Sequence, residues 1–191
     1  MIPRRRFLTS TLAATLAAPA LLTSAPAAQA VQGPPILSPR KVSFSRRYQA
    51  GSIVILPRAF FLYHVTAPGV ATRYGIAVAR PGLGFTGNAV IARKVEWPSW
   101  RPTPDMIERD PQIYGQYKGN NDRMPGGPRN PLGARALYLY QNGHDTAIRI
   151  HGTTEPRSIG RNASSGCFRM LNENVIALYD SVPIGTPVTV L

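Results

Sequence analysis

From Ser52 onward the apolar positions fall in short runs of β-branched and aromatic residues broken by proline and glycine, the pattern of a β-rich body. Ser52-Ile-Val-Ile-Leu and Phe60-Phe-Leu-Tyr-His-Val flank Pro57-Arg58-Ala59 and predict a hairpin. Strands over residues 73–78 and 88–95 follow, divided by the turn-rich Arg80-Pro-Gly-Leu-Gly. Leu137-Tyr-Leu-Tyr-Gln, Asn142-Gly143 and residues 146–150 give the strongest hairpin signal, because Asn-Gly supplies the positive φ of a tight turn. Val182-Pro-Ile-Gly-Thr predicts a turn, and residues 188–191 a last strand.

Two segments leave the strand pattern. Residues 96–129 hold Trp97, Trp100, several prolines and Gly126-Gly127-Pro128. Within them Thr103 as cap and Pro104 at the first helical position predict a helix start. A long insertion in a small domain is often a lid or binding loop, so Trp97 and Trp100 are candidate substrate contacts, with plain packing as the alternative. Residues 172–179 predict a short helix, with Asn172 as cap and Glu173 complementing the positive helix end. Val175, Ile176, Leu178 and Tyr179 would dock it on the sheet. The predicted fold is therefore mainly β, a single domain with a lid-like insertion and one short helix near its end.

The first 30 residues read differently. Arg4-Arg5-Arg6-Phe7-Leu8 precede an Ala/Leu/Thr stretch ending at Leu22, and Ala28-Gln29-Ala30 is a small-x-small cleavage site. Residues 1–30 thus predict a cleaved export signal. Its Arg-Arg-x-Phe-Leu pattern is of the twin-arginine kind, with an ordinary Sec signal as the alternative. The apolar stretch is short and rich in Ala and Thr, a poor spanning helix, so no stable membrane span is expected. Residues 31–50 then form a poorly ordered lead-in, and residues 51–191 the domain. Of the formal charge of +13, three units belong to Arg4, Arg5 and Arg6, and the same segment has no acidic residue, which leaves +10 on the remainder. Such a charge suits an anionic partner. Export directs that reading away from nucleic acid and toward cell-wall polymer, whose peptide stems carry carboxylates.

Candidate chemistry converges on residues 150–170, which contain Ile150-His151-Gly152-Thr153 and Ser164-Ser165-Gly166-Cys167-Phe168-Arg169-Met170. Cys167 is the only cysteine and His151 is one of three histidines. A thiol needs a base or a nearby cation to act as a nucleophile near neutral pH, and imidazole is the usual partner. The strong hairpin delivers His151 to the end of a strand. Gly166 lets the backbone beside the thiol approach a ligand, which weighs against a merely buried cysteine. A single cysteine has no internal disulfide partner. One Cys and three His give no ligand-spaced cluster, so no metal or other cofactor is expected. His64, in a strand, and His144, beside a turn, carry no such context.

This segment resembles the signature of the L,D-transpeptidase catalytic domain of the YkuD and ErfK/YbiS type: His-Gly, a loop, then Ser/Thr-His-Gly-Cys with Arg or Asn two residues later. Asn130-Pro-Leu-Gly-Ala-Arg-Ala-Leu-Tyr-Leu and Val182-Pro-Ile-Gly-Thr-Pro-Val resemble family sequence too, extending the likeness over roughly residues 51–191. Ser165 departs from the usual histidine and places the chain with a Ser-Ser-Gly-Cys subgroup. The resemblance implies a β-sandwich and a peptidoglycan transpeptidase of the periplasm or cell envelope. In it Cys167 attacks the bond between the L-centre of a diamino acid and the D-Ala that follows. His151 takes the thiol proton, and the Gly152 carbonyl orients the imidazole. The backbone N–H groups of Ser165, Gly166 and Cys167 form the oxyanion hole, each typically worth about 3 kcal/mol. Arg169 is a candidate substrate contact that could instead pin its loop, Thr153 one that could instead cap and orient its loop, and Trp97 and Trp100 stand beside them as the insertion's candidates. The acceptor is another stem, a wall-attached protein, a D-amino acid, or water in an L,D-carboxypeptidase. A non-catalytic wall-binding module is the bland alternative. A sortase-like enzyme would end a strand in Thr-Leu-x-Thr-Cys, which is absent here.

Overall fold

The computed structural model describes residues 36–191, so the expected export signal over residues 1–30 lies outside them. In chain order the strands and helices are β1 (Arg40–Ser43), β2 (Ile53–Leu56), β3 (Phe61–Ala67), β4 (Val70–Gly75), β5 (Val78–Ala79), β6 (Gly87–Glu96), α1 (Pro104–Arg109), α2 (Pro111–Tyr114), β7 (Arg135–Gln141), β8 (His144–His151), β9 (Asn162–Ser164), β10 (Phe168–Arg169), α3 (Asn172–Ser181) and β11 (Pro187–Val190). Nine strands make one sheet in the order β1-β4-β3-β2-β11-β6-β7-β8-β10, and β5 pairs with β9 separately. The last strand is a keystone: β11 runs parallel to β2 and antiparallel to β6, joining the first half of the chain to the second.

Both predicted hairpins form. Between β2 and β3 the chain makes a 3-10 turn over Pro57–Ala59 and leaves it through Phe60 in the left-handed region. Between β7 and β8, Asn142 and Gly143 both have positive φ, 52° and 80°, as a two-residue turn of the right twist requires.

The sheet curls over its own inner face. Ile53 and Ile55 of β2, Leu62 of β3, Ile91 of β6, Leu137 and Leu139 of β7, Ile150 of β8 and Phe168 of β10 belong to one buried cluster, although their strands span most of the sheet. That closure is the sandwich-like feature of a mainly β domain. Val175 and Leu178 of α3 complete the cluster. Each such side chain contributes roughly 1.5–3 kcal/mol by leaving water. Residues on the other face of β2 and β3, Val54 and Val65, are buried as well, which explains the unbroken apolar run Ile53-Val54-Ile55.

The cover on that second face comes from a segment expected as a loose lead-in. Residues 40–43 pair antiparallel with β4, and the Phe44 ring stacks on Tyr63 with centroids 4.7 Å apart. A short edge strand plus two aromatic anchors, Phe44 and Tyr48, fixes this part of the lead-in. The predicted strand over residues 73–78 is likewise redrawn. Strand β4 starts at Val70 and stops at Gly75, where any Cβ would lie 1.9 Å from the Ile36 carbonyl oxygen. Strands β9 and β10 are too short to leave a periodic signal and were not predicted.

In the insertion, Thr103 Oγ1 accepts the Met106 N–H at 3.3 Å and Pro104 opens α1, as expected; α2 follows unpredicted. Asn172 corrects the reading of the last helix. Leu171, not Asn172, occupies the cap position. The Asn172 side chain reaches sideways instead: Oδ1 accepts the N–H of Ala134 at 3.0 Å and of Thr153 at 3.2 Å, and Nδ2 donates to the Thr153 carbonyl at 3.1 Å. It ties α3 to the loops that follow β8 and precede β7. Asn172→Ala strands two N–H groups and one carbonyl, each at about 1 kcal/mol, so urea unfolding should show a loss of about 3 kcal/mol. A loss under about 1 kcal/mol would mean that water replaces these ties without cost.

Candidate active site

A short parallel pairing brings the two halves of the motif together. Strand β10 lies beside β8 with Phe168 opposite Ile150 and Arg169 opposite His151. Phe168 and Ile150 point into the core, so His151, Arg169 and Cys167 share the opposite face. The pairing is reinforced on both sides: the Met170 N–H donates to the His151 carbonyl at 2.8 Å, and Arg169 and Ala77 exchange backbone bonds at 3.0 and 2.9 Å.

His151 is the last residue of β8 and is 5% exposed. Its Nδ1 lies 2.6 Å from the Gly152 carbonyl oxygen. A carbonyl only accepts, so Nδ1 carries the hydrogen and Nε2 keeps the lone pair of a base. Gly152 must be glycine for room: a Cβ would lie 2.1 Å from Asn172 Oδ1. Burial pushes the imidazole down to about 4, the Gly152 carbonyl opposes this, and the positive Arg169 and Arg149 add to it.

Cys167 is partly exposed in the tight loop between β9 and β10. Ser164 builds that loop: its hydroxyl donates to the Cys167 carbonyl at 2.5 Å and accepts the Gly166 N–H at 3.3 Å. Gly166 has φ 137°, a conformation that favours glycine, and a Cβ there would press on Ile148 Cδ1 at 2.9 Å. The thiol donates to the Ala147 carbonyl at 3.8 Å rather than to His151. Ala147 itself sits at φ 59°, in a break of the β7–β8 register held by Asp145 Oδ1 accepting its N–H at 2.9 Å. Burial pushes the Cys167 thiol up, while the Arg149 backbone and the Arg149 and Arg169 charges pull it down. The resting pair is therefore a neutral thiol and a neutral imidazole, not a thiolate beside a cation.

The whole segment matches a family model described as YkuD, the L,D-transpeptidase catalytic domain, over residues 50–190. The chain belongs to this family. "Probable L,D-transpeptidase ErfK/SrfK" of Escherichia coli K12 is 27% identical over 165 residues, covering 83% of this chain and 49% of that protein. "Probable L,D-transpeptidase YbiS" of the same strain is 34% identical over 102 residues, covering 51% of this chain and 29% of that protein. The chain thus spans about half the length, or less, of these curated relatives. A crystal structure of a "Probable carnitine operon oxidoreductase caia" from Brucella melitensis is 54% identical with a TM-score of 0.56, covering 83% of this chain and 96% of that one. That name belongs to the Brucella protein; the family model is what defines the domain here. The Enterococcus faecium L,D-transpeptidase C442S mutant shares the fold at 16% identity and TM-score 0.54, covering 75% of this chain and 50% of that one.

The other family-implied positions divide. Arg169 Nη1 lies 2.6 Å from Glu155 Oε2, so its guanidinium pins the loop after His151 and charges the site. Thr153 is 4% exposed and builds its loop, its hydroxyl accepting the Glu155 N–H at 2.9 Å and its backbone bound to Asn172. Trp100 packs edge-on against Tyr114 and Tyr117, at centroid distances of 5.8 and 6.0 Å, inside the insertion. Trp97 is 45% exposed, next to β6 at the same end of the sheet as His151. The Gly166 N–H, implied as an oxyanion donor, is taken by Ser164, while those of Ser165 and Cys167 have no protein partner among the described residues. His64 is buried within β3, and His144 is exposed at the start of β8. An apolar groove of about 730 Å³ is lined by Val78 and Phe168 but by neither His151 nor Cys167.

Ser165 Oγ accepts from Arg80 at 3.3 Å and Arg109 at 3.1 Å and makes no bond to Cys167 or His151. Ser165→Ala should therefore keep activity within about tenfold, because both arginines are solvent-exposed and contacts of exposed charged groups are worth roughly 0–1 kcal/mol. Ser165→Pro removes a backbone donor and should be far worse in a variant shown by circular dichroism to be folded. A thousandfold loss in folded Ser165→Ala would make the hydroxyl catalytic.

Stability should report the buried imidazole. Unfolded, His151 titrates near 6.5, and folded near 4. As pH falls the unfolded chain takes the proton first, so this contribution is constant above about pH 7 and declines between about 6.5 and 4. The decline amounts to roughly 3 kcal/mol. Urea unfolding of wild type and His151→Asn at pH 7.5 and pH 4 should differ by that amount; equal pH dependence would show that the imidazole is not buried neutral.

Proposed function

We propose that this domain is a peptidoglycan L,D-transpeptidase that works through a thioester on Cys167. One observation carries the reading: a buried imidazole with Nδ1 fixed on the Gly152 carbonyl, leaving Nε2 as a base, on the same face as the single thiol. His151 removes the thiol proton as Cys167 attacks the carbonyl of the diamino acid's L-centre. The C–N bond to D-Ala breaks, the C–S bond of the thioester forms, and His151 returns the proton to the leaving amine. An acceptor amine then attacks the thioester: a C–N bond forms, the C–S bond breaks, and His151 passes the amine's proton to the departing thiolate. The Ser165 and Cys167 N–H groups are the oxyanion donors that fit best. Arg169 acts here as a positioning residue and a fixed positive charge.

With both groups neutral at rest, activation belongs to the attack itself and not to a standing ion pair. The basic surface left after export, +10, favours an anionic wall polymer as partner. The family and the Arg-Arg-x-Phe-Leu segment together support a place in the cell envelope. Among the described residues no helix is long and apolar enough to cross a membrane.

Because Cys167 is the only thiol, iodoacetamide should add one label to wild type and none to Cys167→Ala, read by intact mass. Incubation with purified peptidoglycan should yield cross-linked muropeptides lacking one D-Ala, seen by mass spectrometry. Shortened stems without cross-links would assign water as acceptor. Cross-linking that survives Cys167→Ala would overturn the thiol mechanism.

A further inference from the structure

Two arginines from distant parts of the chain meet beside the nucleophile loop, where the family usually has a histidine. Arg80 follows β5, and its backbone N–H donates to the Ser164 carbonyl at 2.9 Å, fixing it against the loop. Arg109 is the last residue of α1 in the insertion. Arg80 Nη2 lies 3.3 Å and Arg109 Nη2 3.1 Å from Ser165 Oγ. The one carboxylate nearby is weakly placed: Asp110 Oδ2 is 4.0 Å from Arg80 Nη2 and 3.5 Å from Arg109 Nε. Two guanidinium groups offer ten N–H donors. Among the described residues their side-chain partners are one hydroxyl and one carboxylate oxygen, leaving a net charge of +1 with most donors free. Both side chains remain open to solvent, at 47% and 33% exposure.

Planar guanidinium forks match a carboxylate, and two of them two residues from a nucleophile define where a substrate's negative end would rest. We infer that Arg80 and Arg109, gathered on Ser165, form a carboxylate-binding subsite for the donor stem. The inference rests on the transpeptidase reading above. The site couples binding to the insertion, because Arg109 and Asp110 reach it only when α1 lies against the nucleophile loop. Asp110 and the Ser165 hydroxyl hold the two cations in place until a carboxylate arrives, and Ser165 is small enough to leave room for it.

The test is a binding cycle in the Cys167→Ala chain, which cannot form the thioester. Calorimetry would measure Kd for a tetrapeptide stem, for the same peptide amidated at the D-Ala carboxylate, and for one amidated at the diamino acid's free carboxylate. Each is measured with and without Arg80→Gln plus Arg109→Gln. The acid peptide should weaken at least tenfold in the double variant, while the amide that removes the recognised carboxylate should bind both proteins within about threefold. Which amide behaves so identifies the carboxylate. Equal weakening of all three peptides would reduce the arginines to a latch for the insertion and overturn the inference, as would no change for any. Turnover of the acid peptide by wild type is scored separately. If it is bound through the arginines but not processed, the transpeptidase reading fails while the subsite stands.

Discussion

The two-residue parallel pairing of Phe168 and Arg169 with Ile150 and His151 is the constraint on which the chemistry depends. So short a ladder could not hold register by hydrogen bonds alone. It holds because Phe168 and Ile150 are embedded in the core, and a slip by one residue would turn both outward. The same alternation then leaves Cys167, Arg169 and His151 together on the opposite face. Met170, buried after β10, and the Ala77 bridge close the segment from either side.

Around that pairing the structure favours uncharged reactants. His151 is buried and hydrogen-bonded through its protonated nitrogen, and two arginines stand near both it and the thiol. For the thiol the cations partly offset burial; for the imidazole they add to it. A thiol that rests on the Ala147 carbonyl is protected from adventitious oxidation relative to a thiolate. The left-handed Ala147, clamped by Asp145, sets where that carbonyl stands.

Much of the support for the site is indirect. Asn172 sends three hydrogen bonds from the start of α3 to the loops around Gly152 and Ala134, and those loops set the Gly152 carbonyl that orients the imidazole. Glycine at Gly133 and Gly152 gives that amide its space; a Cβ at either would lie within 2.2 Å of Asn172 Oδ1. Glu155 plays the corresponding part for Arg169. The insertion folds around Trp100, Tyr114 and Tyr117, so it meets the nucleophile loop as a packed unit.

The chain's own pattern was enough for the β-rich class and for the two hairpins with their Pro57 and Asn142-Gly143 turns, and it singled out His151 and Cys167 as candidates. Those features depend on local rules: alternation, turn chemistry, and a reactive residue type that occurs once. It misjudged Asn172 and the segment around Phe44. For these the local preference competed with long-range partners: Ala134 and Thr153 for Asn172, the Tyr63 ring for Phe44. Nothing in the order of residues marks Arg80 and Arg109 as neighbours of Ser165, because they are 85 and 56 positions away from it. Only the closing of the sheet and the docking of the insertion bring them there, and only burial decides that His151 and Cys167 rest without charge.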